Sequence, residues 1–243
     1  MGSLIDPRFR VGALTWTPEA QTTIWRAMHT DYFEGSVLDC EAPEERKAGE
    51  LVVKHLLAGE RGHYGPLEHP SITLATAGFP HSVMQQARTH RVGISFDVQS
   101  MRYTGERIVR AAAGELDIED VFYLRPVGEY RDRQGKRYTY SDYQRGIDLD
   151  WCNAAAWKYR EMLKAGYAEE HARGILPFDF RQNFVVSFSM RALMHFLDLR
   201  AKADAQPEIQ ALCDLMMKPF AIWAPDIAAW YEKTRLHKAR LAP

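Results

Sequence analysis

The chain has 243 residues, 46% of them hydrophobic and 26% charged, with 16 glycines and 12 prolines. These proportions exclude a collagenous, low-complexity or disordered chain, and the length suffices to bury a core without metal or disulfide. Lysines and arginines number 31 against 32 acidic residues, a formal charge of −1, so no global field draws the protein onto nucleic acid or an anionic membrane, and any anion site must be local.

Cys40, Cys152 and Cys213 are far apart and form no CxxC pair. This argues against a disulfide framework or a zinc knuckle and fits a reducing cytoplasm. Asp6 and Arg8 stand where a secretory signal would carry its apolar run. No stretch approaches the roughly 18 consecutive apolar residues that a membrane span requires.

In chain order, Thr17, Pro18 and Glu19 predict an N-capped helix reaching about Met28. A second helix opens near Pro43, with Leu51, Val52, His55 and Leu56 on one stripe, and stops at Gly59. Residues 71–79 alternate as a strand, and Pro80 starts a short helix through PHSVMQQARTH. EYRDRQGKRYTY predicts a hairpin turning at Gln134 and Gly135, and a long helix from Tyr140 to Ala165 closes at Gly166. Residues 183–189 read as a buried strand whose last residue, Ser189, caps the helix MRALMHFLDLR, while Pro207 and Pro225 each open a further helix. No repeat or linker interrupts this order, so one domain over residues 1–243 is expected.

Three segments carry chemistry. In GERGHYGPLEH, residues 59–69, glycines recur at every third position among His63, Glu68 and His69. They would allow a backbone to approach a ligand closely, although a helix stop followed by a turn explains them equally well. The segment follows a helix and is therefore no dinucleotide fingerprint, and without an HExxH motif a metal site has little support. Residues 85–110 gather Arg88, His90, Arg91, Arg102, Arg107 and Arg110 against Asp97 and Glu106 alone. Guanidinium groups repel one another, so such a cluster calls for a phosphate or carboxylate. A solvated basic face is the plain alternative, but Ile94, Phe96, Val98, Met101 and Tyr103 interleave with the charges and place them at the edge of buried structure. Ser95 and Ser100 add hydroxyl donors. In SMRALMHFLDLR, Arg191 and His195 share a helix face, while Arg200 is turned by about 180° and lies ~13 Å further along the axis. The alternatives here are surface salt bridges for the arginines and a hydrogen-bonded core position for His195.

THRVGISFDVQSMRY at 89–103, HYGPLEH upstream, and RGILP, RALMHFLDLR and AQPEIQ downstream together resemble, in the same order, the signature segments of the flavin-dependent thymidylate synthases. The likeness covers roughly residues 50–215. It implies flavin contacts at His63, Glu68, His90, Arg91, Arg173, Ser189, Arg191 and His195, and nucleotide contacts at Gln86, Ser100, Arg102 and Arg200. Ser100, Arg102, Arg200 and His90 would be the catalytic group. Arg102 and Arg200 would hold and polarise the nucleotide, and His90 and Arg91 would orient the isoalloxazine.

The chain departs from the common signature in several places. Thr89 replaces its first arginine, and eight residues instead of seven separate Arg91 from Ser100. Asp97 and Val98 stand for Asn-Glu, and Ser189 and His195 stand where asparagines are common. The implied reaction is reductive methylation of dUMP to dTMP, with methylenetetrahydrofolate as carbon donor and FAD, reduced by NADPH, as hydride donor, and with no cysteine nucleophile and no metal. The implied assembly is a homotetramer with shared active sites. The expected fold is α+β, a helical body with a mainly antiparallel sheet. Two other functions compete: a flavin-dependent methyltransferase acting on uracil in RNA, which the near-zero charge disfavours, and a catalytically silent nucleotide-binding module.

Overall fold

The computed structural model describes residues 6–59, 62–132 and 134–238. Strand β1 (Arg10–Trp16) precedes helices α1 (Ala20–Thr30) and α2 (Glu45–Val52), the latter prolonged by a π-helical turn over Val53–Leu57. A 3-10 turn, Gly65–Glu68, leads to β2 (Ser71–Pro80), α3 (His81–Ala87), β3 (Ile94–Val98), α4 (Met101–Thr104) and α5 (Glu106–Ala112). The hairpin β4 (Gly128–Arg131) and β5 (Arg137–Tyr140), helices α6 (Asp142–Lys164) and α7 (Glu169–Ala172), and β6 (Arg181–Ser189) follow. Helices α8 (Met190–Arg200), α9 (Pro207–Trp223) and α10 (Pro225–Thr234) complete the described chain. One sheet has the order β1-β2-β6-β3, and β4 pairs antiparallel with β5. The mixture of helices and antiparallel sheet is the expected α+β class.

The chain gathers into two compact units, each drawn from separated stretches. The first comprises the stretch ending at Arg10, Ala77–Gln86 and Val98–Phe184, and the second comprises Val11–Thr76, Ala87–Asp97 and the stretch from Val185 onward.

In the first unit, α5 and α6 enclose a core that includes Met101, Ile108, Phe122, Cys152 and Tyr159. Ser141 caps α6 by accepting from the Gln144 N–H at 3.2 Å, and Gly166 ends it with a φ of 84°. The hairpin turns as expected, with Gly135 at φ 84°, although Arg133 within it lies outside the described residues. Arg181 is buried; it pairs with Asp6 and donates to the carbonyls of Glu119 and Gly78. The charge is tolerated there because its donors are occupied.

In the second unit, α1 begins at Ala20, not at Thr17. Thr17 does not cap it: its Oγ1 accepts from the Ser71 N–H at 3.0 Å, and its own N–H donates to the Ser71 carbonyl at 2.8 Å. Its hydroxyl thus ties the end of β1 to the start of β2. The first N–H groups of α1 are satisfied from a distance instead. Those of Gln21 and Thr22 donate to the two oxygens of the Glu45 carboxylate at 2.8 and 2.9 Å, which supplies the anion that a helix start favours. The fully buried Gln21 amide also accepts from Asp226 and Ile227 N–H at 2.9 and 3.2 Å, and donates to Asp226 Oδ2 at 3.0 Å. One side chain therefore joins the starts of α1 and α10. Gly49 permits this, because a Cβ there would lie 2.4 Å from Gln21 Nε2. The short helix after Pro80 ends at Ala87, so Arg88, Thr89 and His90 fall in the turn beyond it and not within the helix.

Candidate active site

The site is built around α8, which begins where β6 runs out at Ser189. Ser189 Oγ accepts from the Ala192 N–H at 3.2 Å, the expected cap, and donates to Glu68 Oε2 at 2.7 Å. The other Glu68 oxygen accepts from Arg191 Nη1 at 3.3 Å. The backbone N–H groups of Ser189 and Met190 donate to the carbonyls of Gly93 and Pro70 at 2.9 and 3.0 Å. Gly93 has φ 67°, and a Cβ there would lie 2.7 Å from Ser189 Oγ and 2.9 Å from Ala192 Cβ. Only glycine fits both the backbone conformation and the space. The Arg191 and Glu68 side chains are 42% and 37% exposed, so a guanidinium, a carboxylate and a helix N-terminus share one accessible rim. A cation and a helix N-terminus together favour an anionic ligand.

The other end of α8 carries a second cluster. Arg200 donates from Nε to His90 Nε2 and from Nη2 to Thr89 Oγ1, both at 2.9 Å. The His90 ring packs edge-on against Phe196 at 5.0 Å and His195 at 5.5 Å. Burial, then the neighbouring Arg200 charge, then His195, lower the His90 pKa to about 4. The ring is therefore neutral near pH 7. Because Nε2 accepts from a guanidinium, the remaining proton belongs on Nδ1. Burial also lowers the pKa of Arg200.

Arg191 and Arg200 thus meet different partners at opposite ends of one helix, as their angular separation predicts. For Arg191 the plain alternative is partly realised, since it forms a half-exposed ion pair. His195 is exposed and is not a core residue. Arg91 is exposed beside His90 in sequence.

In the turn before β2, His63 Nε2 lies 3.4 Å from Asp31 Oδ2 at the edge of a cavity of about 440 Å³. Trp25, His29, Tyr32 and His55 also line this cavity. Glu60 and Arg61 of the glycine-spaced segment lie outside the described residues, and Gly62 takes φ 76°. Among the described residues, no group of three or more His, Cys, Asp or Glu is placed to hold a metal ion.

The remaining residues named from sequence belong to the first unit. Gln86 lies half-buried in α3. Ser100 precedes α4, and its carbonyl accepts from the Thr104 hydroxyl at 2.9 Å. Arg102 is exposed, its guanidinium 5.5 Å from the centre of the Tyr103 ring. Helix α4 packs against α7, and the exposed Arg173 opens the 3-10 turn that follows α7. Arg102 and Arg173 therefore stand on neighbouring elements within that unit. Burial raises both interior thiols, Cys152 to about 11, and so keeps them protonated near neutral pH.

Sequence reasoning missed the Thr89 hydroxyl as a partner of Arg200 and Gly93 as the seat of the α8 N-terminus. The substitution at Thr89 and the lone glycine in a strand-like stretch were the available signals.

Residues 13–226 match the Thy1 family model, thymidylate synthase complementing protein. The flavin-dependent thymidylate synthase of Haloarcula marismortui is 34% identical over 96% of this chain and 99% of its own, and that of Halobacterium salinarum is 34% identical over 96% and 100%. Among solved structures, the fold is similar to the UMP/dUMP methylase PolB from Streptomyces cacaoi bound with 5-Br dUMP, at a TM-score of 0.74 and 20% identity over 97% of each chain. It is also similar to Thymidylate Synthase X from Helicobacter pylori with FAD and dUMP, at 0.67 and 18% over 93% of this chain and 98% of that one. A family match running through both units, relatives alike from end to end, and the side chains assembled at α8 lead to one conclusion: the chain belongs to the flavin-dependent thymidylate synthases.

Proposed function

We propose that the protein methylates dUMP to dTMP, taking the carbon from methylenetetrahydrofolate and the hydride from FAD reduced by NADPH. The observation that carries this reading is the convergence on α8 of signature residues far apart in sequence: Glu68 with Ser189 and Arg191 at one end, His90 with Arg200 at the other. Residues 1–243 are read as one functional domain, because the family match crosses both compact units without a break.

The residues at the N-terminus of α8 suit FAD. Arg191 and the helix N-terminus present positive charge where a pyrophosphate would be stabilised, and Glu68, held by Ser189, keeps Arg191 in place. His63, His90, exposed Arg91 and His195 are the other flavin contacts proposed in this unit, and Arg173 is the one proposed from the first unit. Bound there, FAD supplies redox chemistry that no side chain offers.

The chain's own part is binding, orientation and electrostatics. Arg200 would hold the nucleotide, its guanidinium compensating the phosphate and polarising the ring, and Gln86, Ser100 and Arg102 are the nucleotide contacts proposed from the first unit. Neutral His90 offers an Nδ1–H without adding charge beside Arg200. Burial keeps the Cys152 and Cys213 thiols protonated, so neither is poised as a nucleophile. Self-association to a homotetramer with shared active sites and a cytoplasmic location belong to the same reading; among the described residues no helix is long and apolar enough to cross a membrane.

The test is NADPH oxidation by the purified protein with methylenetetrahydrofolate, with and without dUMP, followed by detection of dTMP. Stimulation by dUMP with dTMP formed is the expected result. Binding of dUMP without turnover would instead identify a silent module, and methylation of transfer RNA but not dUMP would favour the RNA reading.

A further inference from the structure

Thr89 stands where the signature has arginine, and the structure shows what it does there. Its Oγ1 and the adjacent His90 Nε2 accept from Nη2 and Nε of the same Arg200 guanidinium, each at 2.9 Å. Two acceptors on neighbouring residues, engaging one edge of a planar group, fix both its position and its plane. The segment bearing them is itself held at both ends. The His90 N–H donates to the Ala87 carbonyl at 3.2 Å, and the Gly93 carbonyl accepts from the Ser189 N–H at 2.9 Å.

The chemistry of the substitution is equally specific. An arginine at position 89 would set a second guanidinium beside Arg200, whereas threonine offers a neutral acceptor and adds no like charge. Branching at Cβ also restricts the side-chain rotamer, so the hydroxyl is presented in few orientations.

We propose that Thr89 is a positioning residue that holds the Arg200 guanidinium in the plane in which it receives the nucleotide. This rests on the reading that Arg200 contacts dUMP. Thr89 acts through Arg200 and is not assigned a contact of its own.

The experiment is calorimetric titration of dUMP into the flavin-loaded protein and into Thr89→Val, Thr89→Ser, Arg200→Gln and Thr89→Val/Arg200→Gln variants. Melting temperature and flavin absorbance serve as controls on each. Thr89→Val, which keeps the shape but removes the acceptor, should weaken dUMP binding on the order of tenfold, as expected for a lost charge-assisted hydrogen bond. Thr89→Ser should bind within about twofold of the wild type, since it keeps the hydroxyl. In the Arg200→Gln background, Thr89→Val should add nothing further, because its effect runs through the absent guanidinium. The KM for dUMP should rise in Thr89→Val while that for NADPH does not.

Wild-type affinity in Thr89→Val would overturn the role, as would equal weakening by Thr89→Ser. A full additional loss in the double variant would overturn action through Arg200. If Arg200→Gln alone leaves dUMP affinity unchanged, the nucleotide assignment of Arg200 fails first and this role falls with it.

Discussion

Ser189 joins two interactions whose energies can be separated. Its Oγ caps α8 through the Ala192 N–H and donates to the Glu68 carboxylate at 2.7 Å. Replacing it with alanine should remove an N-cap worth ~1 kcal/mol. It also removes a hydrogen bond to a charged group, worth ~1.5–3 kcal/mol when well buried. Glu68 is 37% exposed, so the lower end applies, and the expected total is about 2–3 kcal/mol. Urea unfolding of Ser189→Ala, Glu68→Gln and the double variant measures this, with a shifted midpoint at constant slope. Because the two side chains share one bond, the double variant should lose about 1 kcal/mol less than the sum of the singles. Strict additivity, or a Ser189→Ala loss below ~0.5 kcal/mol, would refute the coupling. Ser189→Asn, able to cap, should recover the capping share only.

His90 offers a pH test. Its pKa is about 4 in the folded protein against an ordinary 6.5, so as pH falls the unfolded chain binds the proton first. Its contribution is fully present above pH 6.5 and is lost as pH drops towards 4, amounting to about 3 kcal/mol over that window. Imidazole proton resonances followed by NMR should give a midpoint near 4 for this residue; one near 6.5 would contradict its burial against Arg200. Gly49→Ala should cost about 2–3 kcal/mol by thermal or urea unfolding, because the new methyl displaces the Gln21 amide from its bonds to α10; a neutral result would show that Gln21 can relocate. Arg200→Ala should weaken dUMP binding by ~2–5 kcal/mol in calorimetry, as for loss of a desolvated charged partner. Unchanged affinity would remove Arg200 from the nucleotide site.

Local chemistry was legible before any coordinates. Ser141 and Ser189 cap helices, Gly166 stops one, and the alternation after Ser71 makes a strand. Each of these depends on residues within a few positions, which short-range pattern resolves. The opposed settings of Arg191 and Arg200 followed from helical geometry alone. Thr17 shows the limit of such reasoning. Its cap pattern was sound, yet pairing with Ser71 across 54 residues claimed the hydroxyl, and Glu45 took over the start of α1.

By itself, then, the amino-acid order determined the family, the class of fold and which residues are candidates for flavin and nucleotide, because spacing and residue type carry that information along the chain. Only tertiary structure decided which of them act on one another: that Glu68 meets Ser189, that Gly93 seats α8, and that Thr89 and His90 share the Arg200 guanidinium. A hydrogen bond depends on distance and direction between atoms more than a hundred residues apart, as in Thr89 and Arg200, and those quantities exist only once the chain has packed.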